Sequence, residues 1–326
     1  MRFKKIGTVM LGVSIAAAAG VACAQPAYPV KPVRIVVPYP PGGGNDTLAR
    51  IFGQKLSESM GQQFIVENRP GAGTIIGTAY VAKQAAPDGY TILLSSIATH
   101  AFAPFLYAKP GYDAIKDFTP ITLLAISPTI LVVNPSLPVS SLKELLALAK
   151  QRPGQIGLAT AGTGSASHML GETFRAVTGI KVVEIPYKGG GPSHIGIITG
   201  EAQLLADPAA SVMPHVKSGR LRPLAVARTS RLPDLPNVPT FAEAGLPQYT
   251  ASAWYSMHAP AKTPPEIVAR LNKELARIVN LPDIREKLKD LGSDGVGNSA
   301  DEFGQFVLNE NARYGKLIKE MGVKPE

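Results

Sequence analysis

Short β-branched runs that end in glycine- or serine-rich loops, each followed by a stretch of helical spacing, constrain this chain most. Val33, Arg34, Ile35, Val36 and Val37 form a nearly continuous apolar run, as a strand buried on both faces requires. The run passes through Pro38, Tyr39, Pro40 and Pro41 into Gly42, Gly43, Gly44, Asn45 and Asp46. Residues 47–60 then place Leu48, Ile51, Phe52 and Leu56 on one helical face. A second run at 64–67, a helix over 74–85 and a third run at 90–94 complete a β-α-β-α-β order. That order predicts a parallel sheet with right-handed crossovers.

A second unit repeats the scheme. Strands are predicted at 130–133, 156–159, 182–185, 203–206 and 224–227, with helices over 141–151, 166–177 and 193–199. Three further helical patterns follow at 264–279, 282–291 and 300–321. A chain of 326 residues is long enough for about two domains of roughly 100–200 residues. With 45% hydrophobic residues it can bury a core in each, and its 32 glycines and 29 prolines match many short connections.

The N-terminus carries an address. Arg2, Lys4 and Lys5 precede an apolar, small-residue run over 6–22, and Ala22, Cys23 and Ala24 supply a small-x-small cleavage site. This is the pattern of a secretory signal peptide over residues 1–24. An N-terminal membrane anchor and lipidation at Cys23 are the alternatives; cleavage after residue 24 would remove three basic residues and Cys23, the only cysteine, leaving an exported chain with neither a disulfide nor a thiol nucleophile. Its remaining positive charge is spread without Lys/Arg runs, which is not a nucleic-acid signature. It mildly favours small anions.

Ligands of open α/β sheets bind at the carboxyl ends of the strands. Two loops there stand out. Gly42, Gly43 and Gly44 before Asn45 and Asp46 allow close backbone approach at a helix start, where unpaired N–H groups and the helix dipole favour a carboxylate or phosphate. Gly162, Thr163, Gly164 and Ser165 repeat the device in the second unit, which points to a ligand held between two domains. Tight structural turns are the plainer alternative for each loop. Asp207 closes an apolar strand before Pro208, either capping a turn or facing the cleft.

Catalytic motifs are sparse. Neither glycine loop is followed by Lys-Ser or Lys-Thr as a Walker A motif requires, and no G-x-S-x-G, H-E-x-x-H or C-x-x-C occurs. Gly71, Gly73 and Gly77 imitate a dinucleotide fingerprint with one residue too many, so no cofactor is expected. Ser165, His168 and Glu172 share a helical face and imitate a nucleophile, base and orienter, which leaves an exported hydrolase as a second reading. His168 would sit in a first helical turn, where the dipole weakens it as a base. The remaining histidines do not show metal spacing, so no metal is expected.

Several segments together resemble the Bug-type extracytoplasmic solute receptors of the tripartite tricarboxylate transporter family. They are Tyr28 to Asp46 around the first glycine loop, Glu67 to Gly73, Ala86 to Thr91, Gly162 to Ser165 with His168, and Pro186 to Pro192. Leu235 to Thr240, Glu243 to Pro247 and Trp254-Tyr255 continue the resemblance. It implies an α/β fold of the two-domain periplasmic binding protein (Venus flytrap) type, with parallel-sheet-based domains joined by two crossovers. Domain 1 is expected over 25–123 and 230–326 and domain 2 over 124–229, with crossings near 123–132 and 225–231.

The resemblance further implies a periplasmic receptor, not an enzyme, that captures a small organic acid and presents it to the transporter's membrane subunits. A sensor feeding a signalling partner is the other receptor reading. A monomer is expected. By match, Tyr39, Gly43, Gly44, Asn45 and Asp46 form the first ligand loop, and Ser96 and His100 lie on the third-strand loop. Thr163, Gly164 and Ser165 form the second-domain clamp, and Asp207 stands where amino-acid binders place a partner for the ligand amine. Asn45 departs from the more usual Thr or Ser, and Ala206 replaces a bulky aromatic residue beside Asp207.

Overall fold

The computed structural model describes residues 28–322. The expected signal peptide and Cys23 lie outside the described residues. The first half is built from β1 (Val33–Val37), α1 (Gly44–Met60), β2 (Phe64–Asn68), α2 (Ile75–Lys83), β3 (Thr91–Ser96) and α3 (Ala103–Leu106). Then β4 (Phe118–Val133) leads into α4 (Leu142–Gln151), β5 (Gly157–Thr160), α5 (Ala166–Thr178), β6 (Val183–Pro186) and α6 (Gly190–Thr199). β7 (Leu204–Pro208), α7 (Ala209–Lys217) and β8 (Arg222–Val226) follow. The chain ends with β9 (Ser252–Pro260), α8 (Pro265–Val279), α9 (Pro282–Asp290), β10 (Asp294–Gly295) and α10 (Ala300–Glu320).

The strands run in the order β2-β1-β3-β9-β4-β7-β5-β6, with β8 and β10 also paired to β4. As expected, β1 is parallel to β2 and β3, and β5 is parallel to β6 and β7. The centre differs from an all-parallel expectation. β9 is antiparallel to β3 and β4, and β4 is antiparallel to β7 and β8. β4 is one 16-residue strand where a short strand at 130–133 was predicted. Its first stretch pairs with β9 as far as Pro128, and from Thr129 it pairs with β7. Pro120 and Pro128 disguise it in the sequence, because proline lacks the N–H that a central strand uses.

Two main cores flank this spine. Val33, Ile35, Leu48, Phe52, Leu56 and Ile92 pack with Leu271, Leu275 and Ile278 of α8 and with Ile284 and Leu288 of α9. Leu131, Val133, Leu145, Leu158, Phe174 and Leu204 form the other. Residues beyond the expected return near 225–231 still join that second core, through Phe241, Leu246, Tyr249 and Ala251. α10 buries Phe303, Val307, Tyr314 and Ile318 against Phe102, Leu123 and Trp254. The helix starts follow local chemistry: Ser141 caps α4, Ser165 caps α5, and Ser299 with Glu302 forms a capping box on α10.

Candidate functional site

A cavity of about 630 Å³ opens where β1, β5, β6 and β7 end, between the two halves of the sheet. Four helices begin on its wall: α1 at Gly43 to Asn45, α5 at Ser165 to Ser167, α6 at Gly189 and Gly190, and α7 at Pro208 and Ser211. Gly43 and Gly189, the residues before α1 and α6, bring no side-chain cap. The first-turn N–H groups of those helices are therefore left for another acceptor. Gly44 is needed for a close approach: a Cβ there would stand 2.7 Å from Ser211 Oγ and 3.0 Å from Tyr255 Oη.

A strained turn completes the first rim. Gly71, Ala72, Gly73 and Thr74 all have positive φ, and all four line the cavity. Such backbone concentrates at functional sites. This is the segment that imitates a dinucleotide fingerprint in the sequence; here it forms the turn Ala72–Thr74 that leads into α2. Across the cavity, Tyr107 Oη donates to the Thr163 carbonyl at 3.1 Å, so the two rims touch.

Of the residues expected at the site, Tyr39, Gly43, Gly44, Asn45, Thr163, Ser165 and Asp207 line the cavity. The side-chain oxygen of Asn45 is buried there without a protein partner. Asp46, Ser96, His100 and Gly164 do not line it. Asp46 turns inward and braces the glycine loop: its carboxylate accepts from the Gly42 N–H at 3.2 Å, Arg50 Nε at 3.0 Å and Asn68 Nδ2 at 3.0 Å. Burial works to raise its pKa, but the bonds from Arg50, Asn68 and Gly42 outweigh it and hold the carboxyl below its usual range.

Ser96 lies behind Tyr39, with Ser96 Oγ 2.6 Å from Tyr39 Oη. His100 is fully buried, stacked on His258 with ring centroids 4.1 Å apart, and burial pushes its pKa down to about 3. It stays neutral, with Nδ1 2.8 Å from Thr99 Oγ1. The Gly164 N–H donates to His168 Nδ1 at 3.3 Å and supports the clamp loop from behind.

The hydrolase reading meets a different geometry. Ser165 Oγ accepts from the backbone N–H of His168 at 3.2 Å, as a helix cap, while the His168 ring turns to Gly164 and towards Glu184, 3.8 Å away. Glu172 pairs with Arg175 at 2.6 Å. Among the described residues, His168, Glu172 and Glu184 offer donor atoms within 4.8 Å of one another and form the one group of that kind that could hold a metal ion. Nδ1 of His168 accepts a backbone bond, so Nε2 carries the ring proton, and the group is already tied by protein partners.

Asp207 is the carboxylate of the wall, and Lys188 its one lysine or arginine, among the described residues. His194 Nε2 lies 2.8 Å from Asp207 Oδ2, and both side chains are buried. Burial raises the Asp207 pKa, partly opposed by the hydrogen bond with His194. His194 eluded sequence reasoning because its partner lies on another element. Tyr187, Lys188, Gly189 and Gly190 sit in a motif already visible as a strand-end turn, whereas nothing in the sequence marks Tyr107 or Ser211.

The tripartite tricarboxylate transporter family receptor model matches residues 48–323. Protein BugT of Bordetella pertussis is 37% identical over 318 residues, covering 97% of both chains. R. palustris Rpa4515, solved with adipate, superposes with a TM-score of 0.88 at 37% identity, covering 92% of this chain and all of that one. The periplasmic binding protein BugD gives a TM-score of 0.87 at 34% identity over 92% of this chain and all of that one. MatC from Rhodopseudomonas palustris, with bound malate, gives 0.84 at 32% identity over 89% of this chain and all of that one. The fold, the cleft at the strand ends and this match over most of the chain agree: the protein belongs to the tripartite tricarboxylate transporter receptor family of periplasmic solute-binding proteins.

Proposed function

We propose that the protein captures a small carboxylate in the cavity between its halves and presents it to the membrane subunits of a tripartite transporter. The observation that carries this reading is the convergence of four helix N-termini on a cavity whose one carboxylate already has a hydrogen-bond partner. Such a wall offers N–H donors and positive dipole ends, and so favours an anion. A volume near 630 Å³ falls in the range of small-molecule sites, roughly 300–1,000 Å³. The adipate and malate held by Rpa4515 and MatC support a small diacid as the ligand class.

In this reading Gly44, Asn45 and Gly190 supply main-chain donors, Thr163 and Ser165 close from the other side, and Tyr39 and Asp207 flank the ligand. Asp46, Ser96, His100 and Gly164 keep those groups in place. The two lobes divide at Pro128–Thr129 on β4 and just before Ser252 on β9, where the sheet partners change. Ligand contacts from both lobes favour the closed arrangement. The exported chain acts in the periplasm as a monomer after loss of residues 1–24, and binds without turning its ligand over.

A thermal-shift screen against malate, succinate, adipate and their diamides tests the reading. A bound acid at about 100 times its Kd should stabilise the protein by about 2.7 kcal/mol. Equal responses to an acid and its neutral diamide would refute the anion site. Release of a chemically altered ligand would refute the receptor role.

A further inference from the structure

Asp207 poses a problem for the reading above, on which this inference rests. A diacid brings a second carboxylate into a cavity that already contains one, and like charges in a buried site repel strongly. The wall's one lysine or arginine, Lys188, is a single positive charge to set against two or three negative ones.

The groups around Asp207 narrow the ways out. His194, from α6, holds Oδ2 at 2.8 Å, with 3% of its side chain exposed. His215, from α7, packs edge-on against His194 with centroids 5.0 Å apart. Burial above all pushes the His215 pKa down to about 4, so it takes no proton near neutrality. Tyr255, from β9, is pushed up by burial and by the Asp207 charge, so it gives none. β4 places Ile130 opposite Asp207, with no ionisable group. Among the groups packed directly around Asp207, the 2.8 Å contact of its Oδ2 with His194 Nε2 is the one placed to share a proton.

We propose that His194 is a specificity-determining residue: acting through Asp207, it takes up a solvent proton when a dicarboxylate binds, so that the pair's negative charge is cancelled beside the second carboxylate. The same pair without that proton keeps the Asp207 charge and suits a ligand ammonium group instead. Proton binding and ligand binding are then linked, and each favours the other by the same factor. Dicarboxylate affinity should fall as pH rises through the range in which the pair loses its proton, by up to tenfold per pH unit. Because the two groups share one proton, that range belongs to the pair rather than to either residue.

Calorimetry with malate, succinate and adipate, from pH 6 to 9 in two buffers of different ionisation enthalpy, reads the number of protons taken up. The wild type should take up close to one proton per dicarboxylate at the alkaline end and fewer at pH 6. His194→Gln keeps an N–H donor for Asp207 but cannot bind a proton. It should show clearly less uptake than the wild type at the alkaline end, where only the Asp207 carboxyl is left to accept a proton, and at least about tenfold weaker dicarboxylate binding at pH 7. Asp207→Asn in the His194→Gln background should restore that affinity by removing the charge. Binding of a dicarboxylate with no proton uptake from pH 6 to 9, or unchanged uptake in His194→Gln, overturns this inference and leaves the receptor reading intact. No binding of any of the three acids, with the wild type folded by its melting curve, overturns both.

Discussion

At Gly73 the backbone of one half lies close against the Thr163 carbonyl of the other, and replacing it separates strain from closure. Its φ of 56° lies in the left-handed region. An alanine there costs about 1–2 kcal/mol in any state of the lobes. The added Cβ would also stand 2.0 Å from Tyr107 Oη and 2.7 Å from the Thr163 carbonyl oxygen across the cleft. Ordinary contact is about 3.5 Å. Tyr107 can swing away, but the Thr163 carbonyl is backbone, so the lobes must part by the better part of an ångström. The Tyr107–Thr163 bond, about 1 kcal/mol, goes with them. Gly73→Ala should therefore weaken ligand binding at least about tenfold, or about 1.4 kcal/mol, beyond its effect on the ligand-free protein. Gly71→Ala is the control. It too has positive φ, at 132°, but its Cβ would meet the Ile76 side chain on the same half. Both variants should lower the ligand-free melting temperature by several degrees, and Gly73→Ala alone should lose affinity in calorimetry. Equal losses of affinity in the two variants, or wild-type binding by Gly73→Ala, would refute the closure argument.

Other perturbations give simpler readouts. Asp46→Asn should lower stability by about 1–3 kcal/mol in urea melts at pH 7, because it disrupts the charged brace on Gly42 and Arg50. The Asp46 pKa is depressed by folding, so its contribution is present above the unfolded carboxylate range and lost as pH falls through the lower folded value; the gap between variant and wild type should close there. His100 is also depressed on folding, to about 3, so the unfolded chain takes up its proton first as pH falls below about 6.5. Melting temperature should drop between pH 6.5 and 4, and His100→Phe should flatten part of that drop. Trp254→Phe should cost about 1–3 kcal/mol by taking the indole donor, 3.0 Å away, from buried Glu310. Lys217→Ala, at an exposed pair with Asp234 and Asp290, should change stability by less than about 1 kcal/mol.

What could be read before the structure follows from range. The first glycine loop announces itself because strand, glycines and helix start are contiguous, and the residues that reach the cavity from it were legible for that reason. Ser165 likewise reads as a residue at a helix start, and it caps α5. β9 escaped because Ser252, Ala253, Trp254, Tyr255, Ser256, Met257, His258 and Ala259 include no β-branched residue and show no alternation; its strand character comes from burial between β3 and β4. α7 was missed with Pro214 inside it. His100 looked like a loop histidine near a ligand, and only the tertiary fold stacks it on His258, 158 positions further along the chain. The Asp207–His194 contact has the same character: each residue is ordinary in its own segment, and their meeting depends on the fold bringing a side chain of α6 to the end of β7.

The pairing of β9 with β3 and β4 makes the molecule's history run against its sequence. β3 is an early strand, yet the neighbour that covers its free edge, His258 opposite Leu93 and Tyr255 opposite Ser96, is made only after the whole second half. Pro128 and Ser252 are partners across one ladder rung, so about 5 Å separates the two points between which the intervening segment is inserted. The first half thus cannot close its sheet as it emerges from the ribosome, although domains generally fold in order of synthesis. Long-range pairing of this kind also slows folding. Until β9 arrives, the β3 edge that it covers stays open, so completion of the first half waits on residues made after the whole inserted segment.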